Sequence, residues 1–495
     1  MANTVMAELE LKFRGPDGAL ASLHDALRAH GATSQRLQAR YFDTADGQLA
    51  RQRVALRLRK EGRLWLQAVK AAGDGAVHRL EHEVRVPTRA GRMPAIDPHR
   101  HDGSDAGRAL DAALHATPGA ALIERHATDV VRLRCMVHDA VGSEVEVALD
   151  TGHVSASGRS LPLLELELEH KAGPVQGLFD LAAAWVEHGG LWLCTISKAE
   201  RGERLLRAPA VPAATRAKPP QLAGEVDGPS LMRASLQSVL EQVLANVSDI
   251  AEGVTAAETI HQARVGLRRL RTVLRELAAL SPSIPAQWDG VLSAAFGRLG
   301  ERRDEDAVAA AVRPLLQAAA APRLVWTRRT LADPVQVVRD PGFQRTLIEL
   351  LALAHAGDER FAPLSASGAR NWVVSRLDDL HTRVFRDGRR FEKLELARQH
   401  RLRKRLKRLR YLAELVAEQW PREAVRSFLK ELGAAQDALG HHNDVAVAAD
   451  LFRGDAAAEP ASWFAAGYLQ AHLAVTARDA HKALAAASQA QAFWK

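Results

Sequence analysis

The chain has 495 residues, 47% of them hydrophobic, enough for the cores of roughly two to four domains. A formal net charge of +8 favours an anionic partner, whether nucleic acid, an acidic membrane surface or a phosphate polymer, without choosing among them. Two cysteines, Cys135 and Cys194, exclude a disulfide framework. With no signal-type N-terminus and no apolar run near the ~20 residues that span a bilayer, the reading is a cytoplasmic protein without a membrane partner.

Before residue 208 the chain is a succession of short β-type runs: AELELKF, VALRLRK, RLWLQAVK, HRLEHEVRV, DVVRLRCMV, SEVEVALDTG and LPLLELELEH. Helical patterns intervene at about 17–30 and 174–189. Many short strands separated by turn residues predict an antiparallel sheet or barrel decorated by helices. Charge alternates with apolar residues inside these runs, so each charged set shares one strand face. The sets are Glu8, Glu10 and Lys12; Arg57 and Arg59; Glu81, Glu83 and Arg85; Arg132 and Arg134; Glu144, Glu146 and Asp150; and Glu165, Glu167 and Glu169. A solvated face explains any one strand, but it does not require carboxylates on some strands and cations on others. Turned inward around a barrel, these faces would form a charged tunnel, where charges persist only if paired or ligated. Carboxylates loaded with a divalent cation and faced by Arg and Lys would grip a phosphate chain from two sides.

On these residues the N-terminal part resembles the CYTH superfamily, the triphosphate tunnel metalloenzymes. The motifs run in order: Glu8-Leu9-Glu10-Leu11-Lys12, Tyr41-Phe42-Asp43-Thr44, Leu56-Arg57-Leu58-Arg59, Lys70, Glu81 and Glu83, Arg132, Asp150, Glu165 with Glu167, and Ser197-Lys198. They cover roughly residues 1–207. The resemblance implies an eight-stranded antiparallel tunnel that hydrolyses inorganic, thiamine or nucleoside triphosphates, or cyclises ATP. By position it assigns Glu8, Glu10, Asp150, Glu165 and Glu167 to a metal, and the all-oxygen set points to Mg²⁺ or Mn²⁺. Lys12, Arg57, Arg59, Lys70, Arg132 and Lys198 would hold the phosphates, with Lys12, Arg57 and Arg59 steadying the transferring group. Glu81 and Glu83 are candidates for orienting the attacking water. Arg134 and Glu169 are equally well explained as rim charges.

The Pro- and Ala-rich stretch 208–225 reads as a linker. From 226 to 495 Ala, Leu, Arg and Glu fall in long amphipathic patterns, predicting an all-α domain. This half repeats itself. His261, Arg264, Arg268, Arg269 and Arg271 match His400, Arg403, Lys407, Arg408 and Arg410 in spacing, and Leu299-Gly300 with Arg303-Asp304 matches Leu439-Gly440 with Asn443-Asp444. Two related helical bundles are the simplest account. On a helix His261, Arg264, Arg268, Arg271 and Arg275 form one stripe, and Leu267, Leu270, Leu274 and Leu277 another. Cations stacked on adjacent turns repel unless an anion or acidic side chains lie across them. A salt-bridge network with Asp304, Asp306 and Asp444 is the plain alternative, and the duplicated register favours a polyanion surface.

The segments HxxRVxxRRLR at 261–271 and HRLRKRLKRLRY at 400–411 resemble the CHAD domain, the conserved-histidine α-helical domain often fused behind CYTH. Its implied fold is a pair of related bundles, and its implied ligand, inorganic polyphosphate, falls to the ten matched residues. Asn443 in the place of Arg303 would remove one cation from the second module. The doublet His441-His442 does not make a shared metal site, because neighbours on a helix diverge by about 100°. Aromatic residues suited to base stacking are scarce at 5%, which disfavours nucleic acid. The sequence therefore predicts a metal-dependent inorganic triphosphatase with a polyphosphate-binding helical domain. The alternatives are a thiamine- or nucleoside-triphosphatase, an adenylyl cyclase, or a non-catalytic polyphosphate scaffold.

Overall fold

A computed structural model describes residues 8–495 apart from 17, 74, 76, 89–91, 117–118, 223, 283, 323–331 and 458. The chain divides into two compact units, one of residues up to 215 with 240–259 and 338–356, the other of 216–239, 260–337 and 357–495.

The first unit is built on strands β1 (Glu8–Arg14), β2 (Thr33–Thr44), β3 (Val54–Glu61), β4 (Leu64–Ala72), β5 (His78–Val86), β6 (Leu122–His138), β7 (Glu144–Ala156) and β8 (Arg159–Ala172). They pair antiparallel in the order β5-β4-β3-β2-β6-β7-β8-β1, and β1 pairs with β5 through Glu8–Arg79 and Leu9–His78, which closes the sheet into an eight-stranded barrel. A two-residue strand, β9 (Trp192–Leu193), extends β1. The strand that residue patterning alone passes over is β2. Its outward residues Arg36 and Arg40 are charged, pairing with Asp129 and Glu124 on β6 at 2.6 Å each, while Leu37, Ala39 and Tyr41 alternate with them and are buried.

Five helices accompany the barrel: α1 (Ala19–Ala29), α2 (Gln48–Arg51), α3 (Asp105–His115), α4 (Gln176–Gly189) and α5 (Lys198–Arg207). Outside, Leu56, Val69 and Ala71 pack under Leu110 and Ala113 of α3 in one apolar cluster. The Asp43 carboxylate of the Tyr41–Thr44 motif accepts from the amides of Leu49 (2.8 Å) and Ala50 (2.9 Å), so this residue serves to hold the short helix α2. Ser197 caps α5, its Oγ accepting from the Glu200 amide at 3.2 Å. Helix α5 then packs against β6, β7 and β8. Its Gly202 lies so close to the His126 ring that a Cβ there would stand 2.0 Å from Cδ2, and that ring stacks on Tyr41 at 4.5 Å.

The remaining helices are α6 (Gly228–Ala251), α7 (Ala257–Glu276), α8 (Gln287–Arg298), α9 (Glu301–Ala318), α10 (Pro334–Arg339), α11 (Pro341–Ala354), α12 (Ala366–Gly388), α13 (Leu396–Val416), α14 (Arg422–Asp455) and α15 (Ser462–Ala487). The predicted leucine stripe is buried at Leu267, Leu270 and Leu274 of α7 and at Leu277 just beyond it, and α13 buries Leu402, Leu406 and Leu409. The repeated Leu-Gly pair has two settings: Leu299-Gly300 separates α8 from α9, while Leu439-Gly440 sits inside the continuous α14. The side chains of 301–307, including Arg303, Asp304 and Asp306, lie outside the described residues. No described helix is long and apolar enough to cross a membrane.

Candidate functional site

Period-two alternation turns the sorted charges inward. On the β6-β7-β8 side, register sets Arg132 beside Asp150 and Asp150 beside Glu165, and β1 places Lys12 beside Glu167. Arg132 is bidentate to Asp150, 2.7 Å on both arms, and reaches Glu167 at 2.5 Å. The Lys198 ammonium, carried in by α5, stands 2.9 Å from Asp150, 2.5 Å from Glu165 and 2.7 Å from Glu167. Lys12 lies 2.9 Å from Glu10 and 3.7 Å from Glu167. Asp150 and Glu165 are fully buried. Burial works against the charge of Lys198, yet its three carboxylate neighbours hold the ammonium well above its ordinary pKa. Burial also opposes ionisation of Asp150 and Glu167, and Lys198 with Arg132 outweighs it, keeping both below the usual carboxylate range. Glu165 goes the other way, raised by burial and by Glu167 despite Lys198.

The opposite wall, β3-β4-β5, carries the second set. Arg57 is 3.7 Å from Glu81, Lys70 pairs with Glu81, and Arg59 is 3.0 Å from Glu83. Arg59 also reaches Glu61 at 2.7 Å, a partner one step further along the same alternation that the sequence reading left out. Burial and the neighbouring cations Arg57 and Arg132 hold Arg59 below its ordinary value, so the cations of the two walls act on one another. Tyr41, beside Arg57 in register, joins Glu81 in raising Arg57 against its burial. Glu8 opens β1 opposite Arg79, its side chain outside the described part. Glu169 pairs with Lys171, and Arg134 is half exposed, 3.7 Å from Glu146.

In the helical unit the two basic helices do not use all their matched residues alike. Arg269 of α7 is enclosed and donates to the Lys218 carbonyl at 3.2 Å. Arg271 pairs with Asp289 (2.8 Å), Arg408 with the buried Glu276 (3.1 Å), and Arg410 with Glu414 (2.8 Å). Arg264, Arg268, Arg403 and Lys407 instead converge. Arg264 and Arg268 both lie over one phenyl ring, Phe296, at 4.6 and 5.3 Å from its centroid. The buried Arg268 Nε has no hydrogen-bond partner among the described residues. Burial, then Arg268 and Arg403, push Lys407 down to about 6, with Asp444 opposing. Gly300 gives Arg264 its place: a Cβ there would meet Arg264 Nη2 at 2.4 Å, and Gly440 stands in the same relation to Arg403 at 3.9 Å. His400 Nδ1 is 2.8 Å from Asn443 Oδ1. His442 is a satisfied core residue between Thr476 and Gln399, both at 2.8 Å.

Comparison with known families gives a CYTH domain over residues 6–202 and a CHAD domain over 234–453. The chain joins a CYTH domain to a CHAD domain. An inorganic triphosphatase of Haemophilus influenzae is 29% identical over 170 residues, 33% of this chain and 44% of the relative, so the chain spans less than half of that relative's length. Among solved structures, a CHAD domain of the plant Ricinus communis shares 27% identity over 57% of this chain and 98% of its own, at a TM-score of 0.47. A Hippeastrum protein described as a candidate adenylyl cyclase with dominant triphosphatase activity shares 18% over 41% of this chain and 98% of its own, at a TM-score of 0.28.

The residues of the CYTH domain fit a hard divalent cation. Glu10, Asp150, Glu165 and Glu167 offer carboxylate oxygens only, and the buried Glu165 Oε2 has no hydrogen-bond partner among the described residues. The Lys198 ammonium already shows that this nest gathers around positive charge. Lys198, assigned to phosphate by its motif, lies among the carboxylates. The CHAD residues missed by sequence are Phe296 and the clearance at Gly300. Phe296 sits outside the repeat, and only the recurrence of Leu-Gly marked Gly300.

Proposed function

We propose that the CYTH domain is a metal-dependent triphosphatase that hydrolyses inorganic triphosphate to pyrophosphate and phosphate, and that the CHAD domain holds inorganic polyphosphate. The observation that carries the first part is the buried carboxylate nest of Asp150, Glu165 and Glu167 with Arg132, Lys12, Arg57, Arg59 and Lys70 lining the same interior. The name of the Haemophilus influenzae relative supports it. Glu10, Asp150, Glu165 and Glu167 would hold Mg²⁺ or Mn²⁺, which when bound polarises phosphate oxygens and lowers the cost of attack by water. The chain's own cations do the rest. Lys12, Arg57, Arg59, Lys70 and Arg132 bind the phosphate oxygens and neutralise charge as the terminal P–O bond breaks. Glu81 and Glu83 hold Arg57, Lys70 and Arg59 in place.

Polyphosphate binding rests on Arg264, Arg268, Arg403 and Lys407, which stand close enough for the three guanidiniums to disfavour the charge of Lys407, a repulsion that a bound anion would relieve. The test is phosphate release from tripolyphosphate, ATP and thiamine triphosphate, each with Mg²⁺, Mn²⁺ and chelator, beside Glu165→Gln. Metal-dependent release, fastest from tripolyphosphate and lowered on the order of 10²-fold or more in the variant, is expected. Absence of metal-dependent release from all three refutes the enzyme. Arg268→Glu with Lys407→Glu should abolish retention on immobilised polyphosphate, and unchanged retention refutes the assignment of those residues.

A further inference from the structure

Glu165 is buried, and the oxygen turned away from Lys198 faces Arg201, whose Nε is 3.9 Å from Oε2. Arg201 is itself fixed at two other points. Its Nη1 donates to Glu252 at 2.8 Å, and its Nη2 lies 3.1 Å from the Cys194 sulfur. Glu252 stands just beyond α6, within 240–259, a stretch matched by the CHAD family yet clustered with the barrel. The same carboxylate also takes the Trp192 indole N–H (3.3 Å) and lies 3.6 Å from Arg14 Nε. Arg14 in turn donates to the carbonyl of Leu164, the residue before Glu165 on β8. One carboxylate therefore anchors two arginines that reach β8 at adjacent residues, one at the Glu165 side chain and one at the backbone beside it.

We infer that Arg201 and Glu252 are positioning residues for Glu165, so that a segment from the helical half of the chain sets the geometry of the barrel's metal-binding carboxylates. The inference rests on the reading of the barrel as a metal-dependent triphosphatase. Fixing a ligating carboxylate through a second residue governs metal affinity and turnover more than substrate affinity, because the phosphate contacts come from other side chains. Asp249 offers a matched control. It pairs with Arg204 of α5 at 2.6 Å in the same packing but reaches none of the nest.

The experiment uses full-length Glu252→Gln, Arg201→Met, Arg201→Lys and Asp249→Asn. It measures Mn²⁺ binding from the free-ion electron paramagnetic resonance signal, kcat and KM for tripolyphosphate, and melting by circular dichroism. Glu252→Gln and Arg201→Met should each weaken Mn²⁺ binding and lower kcat by about tenfold or more, with KM changed less than about twofold. Arg201→Lys, which keeps the charge and most of the packing, should recover part of the loss and serves as the comparison if Glu252→Gln does not fold. Asp249→Asn should bind Mn²⁺ as the wild type does, whatever its melting temperature. Wild-type Mn²⁺ affinity and kcat in the Glu252 and Arg201 variants overturn the inference, as does an equal loss in Asp249→Asn. A wild-type protein that neither binds Mn²⁺ nor releases phosphate overturns the underlying reading, and the inference with it.

Discussion

Replacing Lys198 by Met keeps the stem of the side chain and removes one charge from among three carboxylates. The ammonium is within 2.9 Å of Asp150, Glu165 and Glu167, and only about a tenth of the side chain is exposed. At an effective dielectric of 20, a pair of unit charges 4 Å apart interacts by about 4 kcal/mol. Part of that is offset by desolvation, and breaking a buried ion cluster from one side costs about 3–5 kcal/mol. For a unit of this size that corresponds to a fall in Tm of roughly 6–20 °C. The pH dependence has a definite sign. Asp150 and Glu167 are depressed in the folded wild type, so their stabilisation is present above their unfolded values near 3.8 and 4.5 and is lost as pH falls through their folded values. Lys198 is raised, so its share is present below its unfolded value of 10.5 and is lost only when pH rises through the folded one. Without the ammonium the carboxylates take protons more readily, so the deficit should be largest near pH 8 and shrink toward pH 5. The assay is thermal unfolding in chelator at both pH values, then with Mn²⁺, which should narrow the gap by supplying the missing charge. A Tm within about 2 °C of wild type at pH 8, or a deficit that grows toward pH 5, would refute the account.

Lys407 sits near a pKa of about 6 in the free protein through burial and the cations Arg268 and Arg403. A polyanion favours its charged form, so polyphosphate binding should take up a proton between pH 6 and 8 and tighten as pH falls, by at most about tenfold per unit. Calorimetry in buffers of different ionisation enthalpy reads the proton directly, and Lys407→Met should remove the effect; pH-independent affinity would contradict it. Arg132→Lys cannot span both oxygens of Asp150 and still reach Glu167, so kcat/KM for tripolyphosphate should fall about 10–100-fold, and unchanged steady-state kinetics would count against the pairing. Gly202→Ala would drive a Cβ to 2.0 Å from a ring already stacked on Tyr41, costing about 1–3 kcal/mol in denaturant melts. Gly440→Ala, with 3.9 Å of clearance inside α14, should instead stabilise by up to about 1 kcal/mol.

The barrel was legible because a strand face has period two, and sign-sorted charges at that period need partners inside. β2 was not, because its inward Leu37, Ala39 and Tyr41 carry no sorted charge to mark the strand, and its charged Arg36 and Arg40 face outward. Which charge meets which was also hidden. Lys198 follows the phosphate-binding motif in chain order, but the position of its ammonium depends on how closely α5 approaches the barrel, and Gly202 against His126 decides that. On the basic helices the stripes were legible and the fates of single arginines were not. A step of one residue turns a side chain by about 100°, enough to send Arg269 into the core beside Arg268 at the cluster. The partners Glu276 and Asp289 that occupy Arg408 and Arg271 lie on helices whose packing no local pattern reveals.

The two charged sites have opposite electrostatic designs. In the barrel, Lys12, Arg57, Arg59, Lys70, Arg132 and Lys198 each stand within ion-pair distance of a carboxylate. A phosphate ligand there must exchange existing pairs, and the exchange is favourable only if a metal takes over the carboxylates. In the helical cluster, Arg264 and Arg268 lean on a phenyl ring, and neighbouring cations depress Lys407. A polyanion there would add negative charge to a cluster in which Asp444 already opposes the cations around Lys407. The approach of a polyanion to that cluster through solvent is screened by salt over about 10 Å at 0.1 M, whereas the buried pairs of the barrel are screened far less. Raising ionic strength should therefore release polyphosphate from the helices well before it slows triphosphate turnover in the barrel.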